Sequence, residues 1–108
     1  MGLESAEEIR ALTRLFKVLG DETRLRLVRL LIDQGPEGGL CVGALAARLG
    51  VSQSAVSQHL AVLRAAGLVV DQRRGYFVHY RLNRGQLQRW RAQVQVSLGE
   101  DLIRLDAG

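Results

Sequence analysis

Residues 41–67 read CVGALAARLGVSQSAVSQHLAVLRAAG, and this stretch decides the fold. Its first half predicts a short helix that ends at Gly50, and Ser52 then opens a second helix that ends at Gly67. The apolar positions of the two helices can pack together, namely Leu45, Leu49, Val56, Leu60 and Leu63. Two short helices joined by so tight a turn predict a helix-turn-helix, at about residues 41–67, which places its second helix in the DNA major groove.

The second helix also has a polar, uncharged face on its N-terminal part. We expect four exposed side chains there, Gln53, Ser54, Ser57 and Gln58. Glutamine can hydrogen-bond adenine in a bidentate manner, serine suits bases or phosphates, and a helix N-terminus favours phosphate. The alternative is an ordinary helical pair with solvent-facing polar residues, because helix-turn-helix patterns also arise by chance.

Two segments rich in Val, Tyr and Phe follow this recognition helix. Residues 68–72 and 76–82 predict a β-hairpin, with Arg73-Arg74-Gly75 as its turn. A hairpin at this position, about residues 68–82, is the wing of a winged helix-turn-helix, and arginines at its tip can clamp phosphates or enter the minor groove. In the alternative interpretation, Arg73 and Arg74 are simply solvated.

Helical periodicity predicts two helices before the helix-turn-helix. The first, about residues 4–19, has a capping box of Ser5 and Glu8 and an apolar stripe of Ile9, Leu12, Leu15, Phe16 and Leu19. Gly20 can stop it. The second is capped by Asp21 and has a stripe of Leu25, Val28, Leu31 and Ile32, with Arg24, Arg26 and Arg29 facing elsewhere.

A final helix at about residues 84–106 follows the wing and can be capped by Asn83. Its stripe is Leu87, Trp90, Val94, Leu98, Leu102 and Leu105. This stripe is longer than one winged helix can bury, so the first and last helices are predicted to form a homodimer interface.

Composition fits one domain over residues 1–108, mainly α with a small hairpin. Hydrophobic residues make up 47% and charged residues 24%, which is ordinary globular usage. The formal charge is +4, and Lys17 is the single lysine among fifteen basic residues, so arginines dominate and double-stranded DNA is the expected partner. A lone cysteine, no signal-peptide pattern and no long apolar run predict a cytoplasmic protein without a membrane segment.

Enzyme motifs are absent from the sequence. It has no phosphate-cradling glycine loop, no serine elbow and no pair of histidines at helical spacing. We therefore expect no enzyme and no cofactor.

Three segments together resemble the arsenic-repressor (ArsR/SmtB) family. They are residues 19–27 (LGDETRLRL), 40–46 (LCVGALA) and 51–60 (VSQSAVSQHL). The resemblance extends from about Leu15 to Leu82 and implies a homodimeric winged-helix repressor that binds an operator palindrome. By motif position it implies DNA contacts by the four polar residues of the recognition helix and by Arg73 and Arg74. For His59, in the third segment, packing or a phosphate contact is expected.

The chain departs from the metal-sensing pattern of that family. The thiolate site of the metal sensors is Cys-Val-Cys, whereas this chain has Cys41-Val42-Gly43, and residues 83–108 contain no His or Cys for the second common site. A lone thiol seldom makes a selective metal site, so none is predicted and the effector stays open. Two alternatives to a plain repressor remain: a redox- or metal-responsive repressor acting through Cys41, and a winged-helix protein-interaction module that binds no operator.

Overall fold

The computed structural model describes residues 6–35 and 38–99. The elements, in chain order, are α1 (Ala6–Leu19), α2 (Glu22–Asp33), α3 (Val42–Leu49), α4 (Gln53–Ala65), β1 (Val69–Arg74), β2 (Phe77–Leu82) and α5 (Arg84–Val94), which continues into a π-helical segment (Gln95–Gly99). The described residues thus form five α-helices and one antiparallel hairpin, which confirms the predicted winged helix-turn-helix. None of these helices is long and apolar enough to cross a membrane. Three residues of the sequence predictions lie outside the described residues, namely Ser5 of the capping box and Leu102 and Leu105 of the last apolar stripe.

Side-chain caps begin three of the helices, as the sequence predicts. Asp21, Ser52 and Asn83 each accept a hydrogen bond from the backbone N–H three residues further along, at 3.1, 3.0 and 3.2 Å. Gly50 ends α3 with φ 71°, and Gly67 follows α4 with φ 76°. Glycine adopts this left-handed backbone without a Cβ penalty, so both helices end where local chemistry predicts.

The core of the helix-turn-helix is the predicted one. Its five apolar positions, Leu45, Leu49, Val56, Leu60 and Leu63, are all buried. They belong to one cluster that also contains Leu12 and Leu15 of α1, residues of α2 and the wing, and Trp90 of α5. This shared core fixes the orientation of α4 relative to the rest of the fold.

The apolar stripes of α1 and α2 were only partly predicted. Leu27 is fully buried, whereas Leu25, which the stripe placed in the core, is 50% exposed. In α1, Leu12 and Leu15 are buried, but Ile9 and Phe16 are 56% and 46% exposed. Apolar residues occur on most sides of α2, so its inward face is chosen by the helices that pack on it and not by its own periodicity.

The wing has a shorter turn than the sequence suggested. The antiparallel register continues to the pair Arg74–Phe77, which leaves Gly75 and Tyr76 as a two-residue turn. Gly75 has φ 65°, which fits a type II′ turn with glycine at its first central position. The prediction of Arg73 and Arg74 in the turn is therefore wrong: both belong to β1, because strand pairing continues up to the tightest turn that the glycine allows.

A backbone contact that the sequence did not predict joins the wing to the helix-turn-helix. Leu40 N–H donates to Tyr80 O at 3.1 Å, and Tyr80 N–H donates to Leu40 O at 2.9 Å. The segment before α3 thus pairs with β2, so the wing is held by hydrogen bonds as well as by the core.

Candidate nucleic-acid interface

The polar residues predicted on the recognition helix lie together on its exposed face. Gln53, Ser54, Ser57 and Gln58 are all exposed on the first turns of α4. The first turn of α4 contains no acidic residue, so the partial positive charge of the helix N-terminus is not offset there. This face presents two amides, two hydroxyls and a helix N-terminus to solvent, which is the chemistry that reads bases and binds phosphates.

Gln53 lies beside the beginning of α3. A Cβ built on Gly43 would be 3.5 Å from Gln53 Nε2, an ordinary contact distance. Within residues 6–35 and 38–99 the Gln53 amide makes no hydrogen bond to another residue. Its donors and acceptor are therefore available to a ligand.

The wing presents arginine and aromatic side chains together. Arg73 and Arg74 are exposed on β1, and Arg74 Nη2 is 3.5 Å from Gln72 Oε1. Tyr76 in the turn is 98% exposed and Phe77 is 62% exposed. These two aromatics were not among the predicted site residues, although their place directly after Gly75 was a signal that they would lie at the wing tip.

His59 differs from its neighbours on α4 because its side chain is only 23% exposed. Arg24 Nη1 lies 3.1 Å from His59 Nδ1, and Asp21 Oδ1 lies 3.8 Å from the same atom. A hydrogen bond from the backbone N–H of Arg24 holds the pKa of the Asp21 carboxyl below its ordinary value, and the positive charge of Arg24 acts in the same direction, whereas desolvation opposes both. His59 thus faces a charged pair at the start of α2.

Two arginines that the sequence placed away from the core make contacts within the fold. Arg24 Nε donates to Val18 O at 2.6 Å, and Arg26 Nη2 donates to Leu49 O at 3.1 Å. Both acceptors lie at the C-terminal ends of helices, where carbonyls have no partner in their own helix.

Cys41 is the N-cap of α3 and is half-buried, and its side chain makes no capping hydrogen bond. No group of three or more His, Cys, Asp or Glu in the described part of the chain is arranged to hold a metal ion. Thiophilic and structural metal sites need several convergent ligands, whereas the chain has one cysteine, and His59 already faces Asp21 and Arg24. Within one chain, the residues that the structure describes do not fit such a site.

The fold and this exposed helix agree with comparisons to known proteins. The model for bacterial regulatory proteins of the arsR family matches residues 21–70. The HTH-type transcriptional regulator CmtR of Mycobacterium tuberculosis (strain H37Rv) is 44% identical over 93 residues, which are 84% of this chain and 75% of the relative. This chain belongs to the arsR family.

Two further arsR-family comparisons agree with this assignment. The arsenical resistance operon repressor of Escherichia coli K12 is 46% identical over 81 residues, which cover 75% of this chain and 66% of that repressor's length. A crystal structure of a possible transcriptional regulator for arsenical resistance has a TM-score of 0.71 at 41% identity, covering 85% of this chain and 92% of that one. The resemblance seen in the sequence is thereby confirmed, and the family is one of regulatory proteins rather than enzymes.

Proposed function

We propose that this chain is a homodimeric, sequence-specific transcriptional repressor that binds an operator palindrome in double-stranded DNA. The observation that carries this proposal is the exposed polar face of α4, supported from behind by the buried residues Val56, Leu60 and Leu63. A rigid helix with amides and hydroxyls on its exposed N-terminal part suits the major groove. We also propose that it acts in the cytoplasm and has no enzymatic activity.

The proposed DNA contacts form two sets, and the first set lies on α4. Gln53 and Gln58 read base edges, because an amide can both donate to and accept from one base. Ser54 and Ser57 contact bases or phosphates. His59 contacts a phosphate from a partly covered position next to the exposed face of the same helix.

Arg73 and Arg74 form the second set of contacts, on the wing. Both are exposed on β1, one and two residues before Gly75. Guanidinium groups at this position bind phosphates or enter a minor groove next to the major groove that α4 occupies. The exposed Tyr76 at the tip places an apolar ring next to these charges.

A homodimer is supported by apolar side chains that one chain leaves exposed. Ile9 and Phe16 of α1 are about half exposed, and Val96 in the π-helical segment is 79% exposed. A shallow groove between α1 and α5 has Leu12 and Val96 in its lining. Two copies related by a twofold axis bury these surfaces against each other and present two recognition helices to half-sites about one helical turn apart.

The two rival functions make different demands on the same surfaces. A protein-interaction module that binds no operator needs an apolar recognition face, whereas that of α4 carries Gln53, Ser54, Ser57 and Gln58. A redox- or metal-responsive repressor needs a reactive or coordinating thiol at Cys41, and that thiol is half-buried without an observed partner in the described residues. A redox or metal signal at Cys41 would act in addition to DNA binding and not in place of it.

Selection of bound sequences from random double-stranded DNA tests the proposed function. We expect enrichment of imperfect palindromes, followed by repression when the selected sequence overlaps a promoter in transcription with purified components. Selections repeated with arsenite, zinc or peroxide test for an effector. A matched control is Arg29→Ala, which removes one positive charge from an exposed position of α2 that the proposal leaves outside the interface. Recovery of no common sequence contradicts the proposal.

A further inference from the structure

Arg24 of α2 joins three helices through one guanidinium group. Its Nε donates to Val18 O at 2.6 Å and its Nη2 donates to Lys17 O at 3.3 Å, so two of its nitrogens hold the C-terminal end of α1. The remaining nitrogen, Nη1, lies 3.1 Å from Nδ1 of His59 on the recognition helix. The two carbonyls of α1 thus fix the orientation of the guanidinium group that contacts His59 on α4.

This contact bears on which nitrogen of the His59 ring carries the proton. Arginine has only donors and is always charged, so a hydrogen bond from Arg24 requires His59 Nδ1 to be the acceptor. The imidazole is then neutral and its single proton is on Nε2. A protonated ring would instead direct an Nδ1–H towards Asp21, but Asp21 Oδ1 is more distant, at 3.8 Å.

The other ring nitrogen of His59, Nε2, has no hydrogen-bond partner among the described residues. The side chain is 23% exposed, so part of it is open to solvent although most of it is covered. The two residues that precede His59 in the chain, Ser57 and Gln58, are exposed on the proposed DNA face.

We propose that Arg24 is a positioning residue that holds His59 in its neutral Nε2–H tautomer, and that this N–H donates to a DNA phosphate. The inference rests on the proposed function and names the chemistry of one of its contacts. A neutral donor adds a directional hydrogen bond to phosphate without adding a charge. His59 therefore fixes the register of α4 on the DNA backbone and contributes nothing to counterion release.

A ¹⁵N spectrum of the His59 ring nitrogens in the protein without DNA tests the first half of this inference, the tautomer. The chain has two histidines, so a ¹⁵N spectrum of the imidazoles contains two rings, and His79→Gln identifies which one belongs to His59. We expect at neutral pH an unprotonated Nδ1 and a protonated Nε2. Arg24→Gln, with its fold checked by thermal unfolding, should yield a mixture of tautomers. An Nδ1–H tautomer or a doubly protonated ring in the unaltered protein overturns the inference.

Binding to the selected duplex across a salt series tests the second half. His59→Ala should weaken binding about tenfold for each half-site, because it removes a hydrogen bond to a charged acceptor, while the slope of log K against log salt stays unchanged. The pair His59→Gln and His59→Asn separates a phosphate contact from packing, because the two amides differ in reach. The glutamine amide reaches approximately the position of Nε2 and should restore most of the affinity, whereas the asparagine amide reaches only that of Nδ1 and should not.

Other results of these measurements contradict the inference in distinguishable ways. A salt slope that falls by about one unit per half-site in His59→Ala would mean a charged contact. Equal affinities of the glutamine and asparagine variants would mean that His59 only packs. If the unaltered protein binds no duplex DNA, the proposed function and the phosphate contact are both contradicted. The ¹⁵N spectrum of the free protein still tests the contact between Arg24 and His59 in that case.

Discussion

Asn83 Nδ2 donates a hydrogen bond to Gly67 O at 3.0 Å, so the residue that caps α5 also holds the chain directly after the recognition helix. Gln86 Nε2 adds a second bond of this kind, to Ala66 O at 2.9 Å. Carbonyls at the end of a helix have no partner within it, and here the beginning of α5 supplies both partners. The proposed dimerisation helix is thus attached to the recognition helix by polar contacts as well as by the core.

Replacement of Asn83 should therefore remove two hydrogen bonds at once. We expect Asn83→Ala to lower the free energy of unfolding by about 2 kcal/mol, about half from the missing cap and half from the missing bond to Gly67. Urea unfolding at a fixed protein concentration, followed by the fluorescence of Trp90, measures this change. Asn83→Ser keeps a capping oxygen but is too short to reach Gly67 O as well, so it should cost about half as much. An equal decrease in both variants would contradict this division.

The corrected face of α2 gives a second prediction. Leu27 is fully buried and Leu25 is half exposed, although both are leucines of one helix. Leu27→Ala should lower the free energy of unfolding by about 2 to 5 kcal/mol because it leaves a cavity, whereas Leu25→Ala should change it by less than about 0.5 kcal/mol. Thermal or urea unfolding measures both variants. A larger decrease for Leu25→Ala than for Leu27→Ala would show that Leu25 is in the core, as the apolar periodicity predicted.

Base reading and phosphate binding should separate between α4 and the wing. Gln53→Ala or Gln58→Ala should weaken binding to the selected sequence by about 1 to 3 kcal/mol and relax the preference at one base position. Arg74→Ala should weaken binding to all sequences alike and lower the salt slope by about one unit for each phosphate that the arginine neutralises. Titrations across a salt series on selected and random duplexes, with Arg29→Ala as the charge-matched control, measure both quantities. An equal decrease in selectivity from Arg74→Ala and Gln53→Ala would contradict the assignment.

A charge placed on the proposed dimer surface should separate the protomers. Val96 is 79% exposed in one chain, and its replacement by glutamate would bury an unpaired carboxylate between two copies. Val96→Glu should raise the dimer dissociation constant by about a hundredfold or more, which corresponds to about 3 kcal/mol. Sedimentation equilibrium measures it, with Tyr76→Glu as the control because it adds the same charge at the wing tip. A dimer of unchanged affinity would show that Val96 lies outside the interface.

Cys41 should tolerate replacement by serine. Its backbone has the extended conformation of an N-cap (φ −79°, ψ 165°), but its side chain makes no capping bond. Serine is a preferred N-cap residue, so Cys41→Ser should raise the free energy of unfolding by about 0.5 to 1 kcal/mol and leave DNA affinity unchanged in reducing buffer. Stoichiometric binding of zinc, nickel or arsenite below micromolar concentration, with release of the selected duplex, would instead establish Cys41 as part of a sensor site.

Features that act over a few residues were predictable from the chain alone. Ser52 accepts a hydrogen bond from an N–H three residues away, and Gly50 adopts the left-handed backbone that commonly ends a helix. The predicted end of α3 and the predicted start of α4 were therefore correct. The same local pattern gave the buried core of the helix-turn-helix and left Gln53 and Gln58 on its exposed face. These parts of the candidate site could be predicted because apolar spacing within a helix separates its two sides.

Only the tertiary structure decided which distant residues meet. Arg24 and His59 are 35 residues apart in sequence, and nothing in the spacing of either helix places the guanidinium against the ring. The choice of Leu27 over Leu25 likewise depends on where α3 and α4 lie, because α2 is apolar on most of its sides. Sequence periodicity assigns residues to the faces of one helix, whereas the angle and height at which helices pack depend on the whole core.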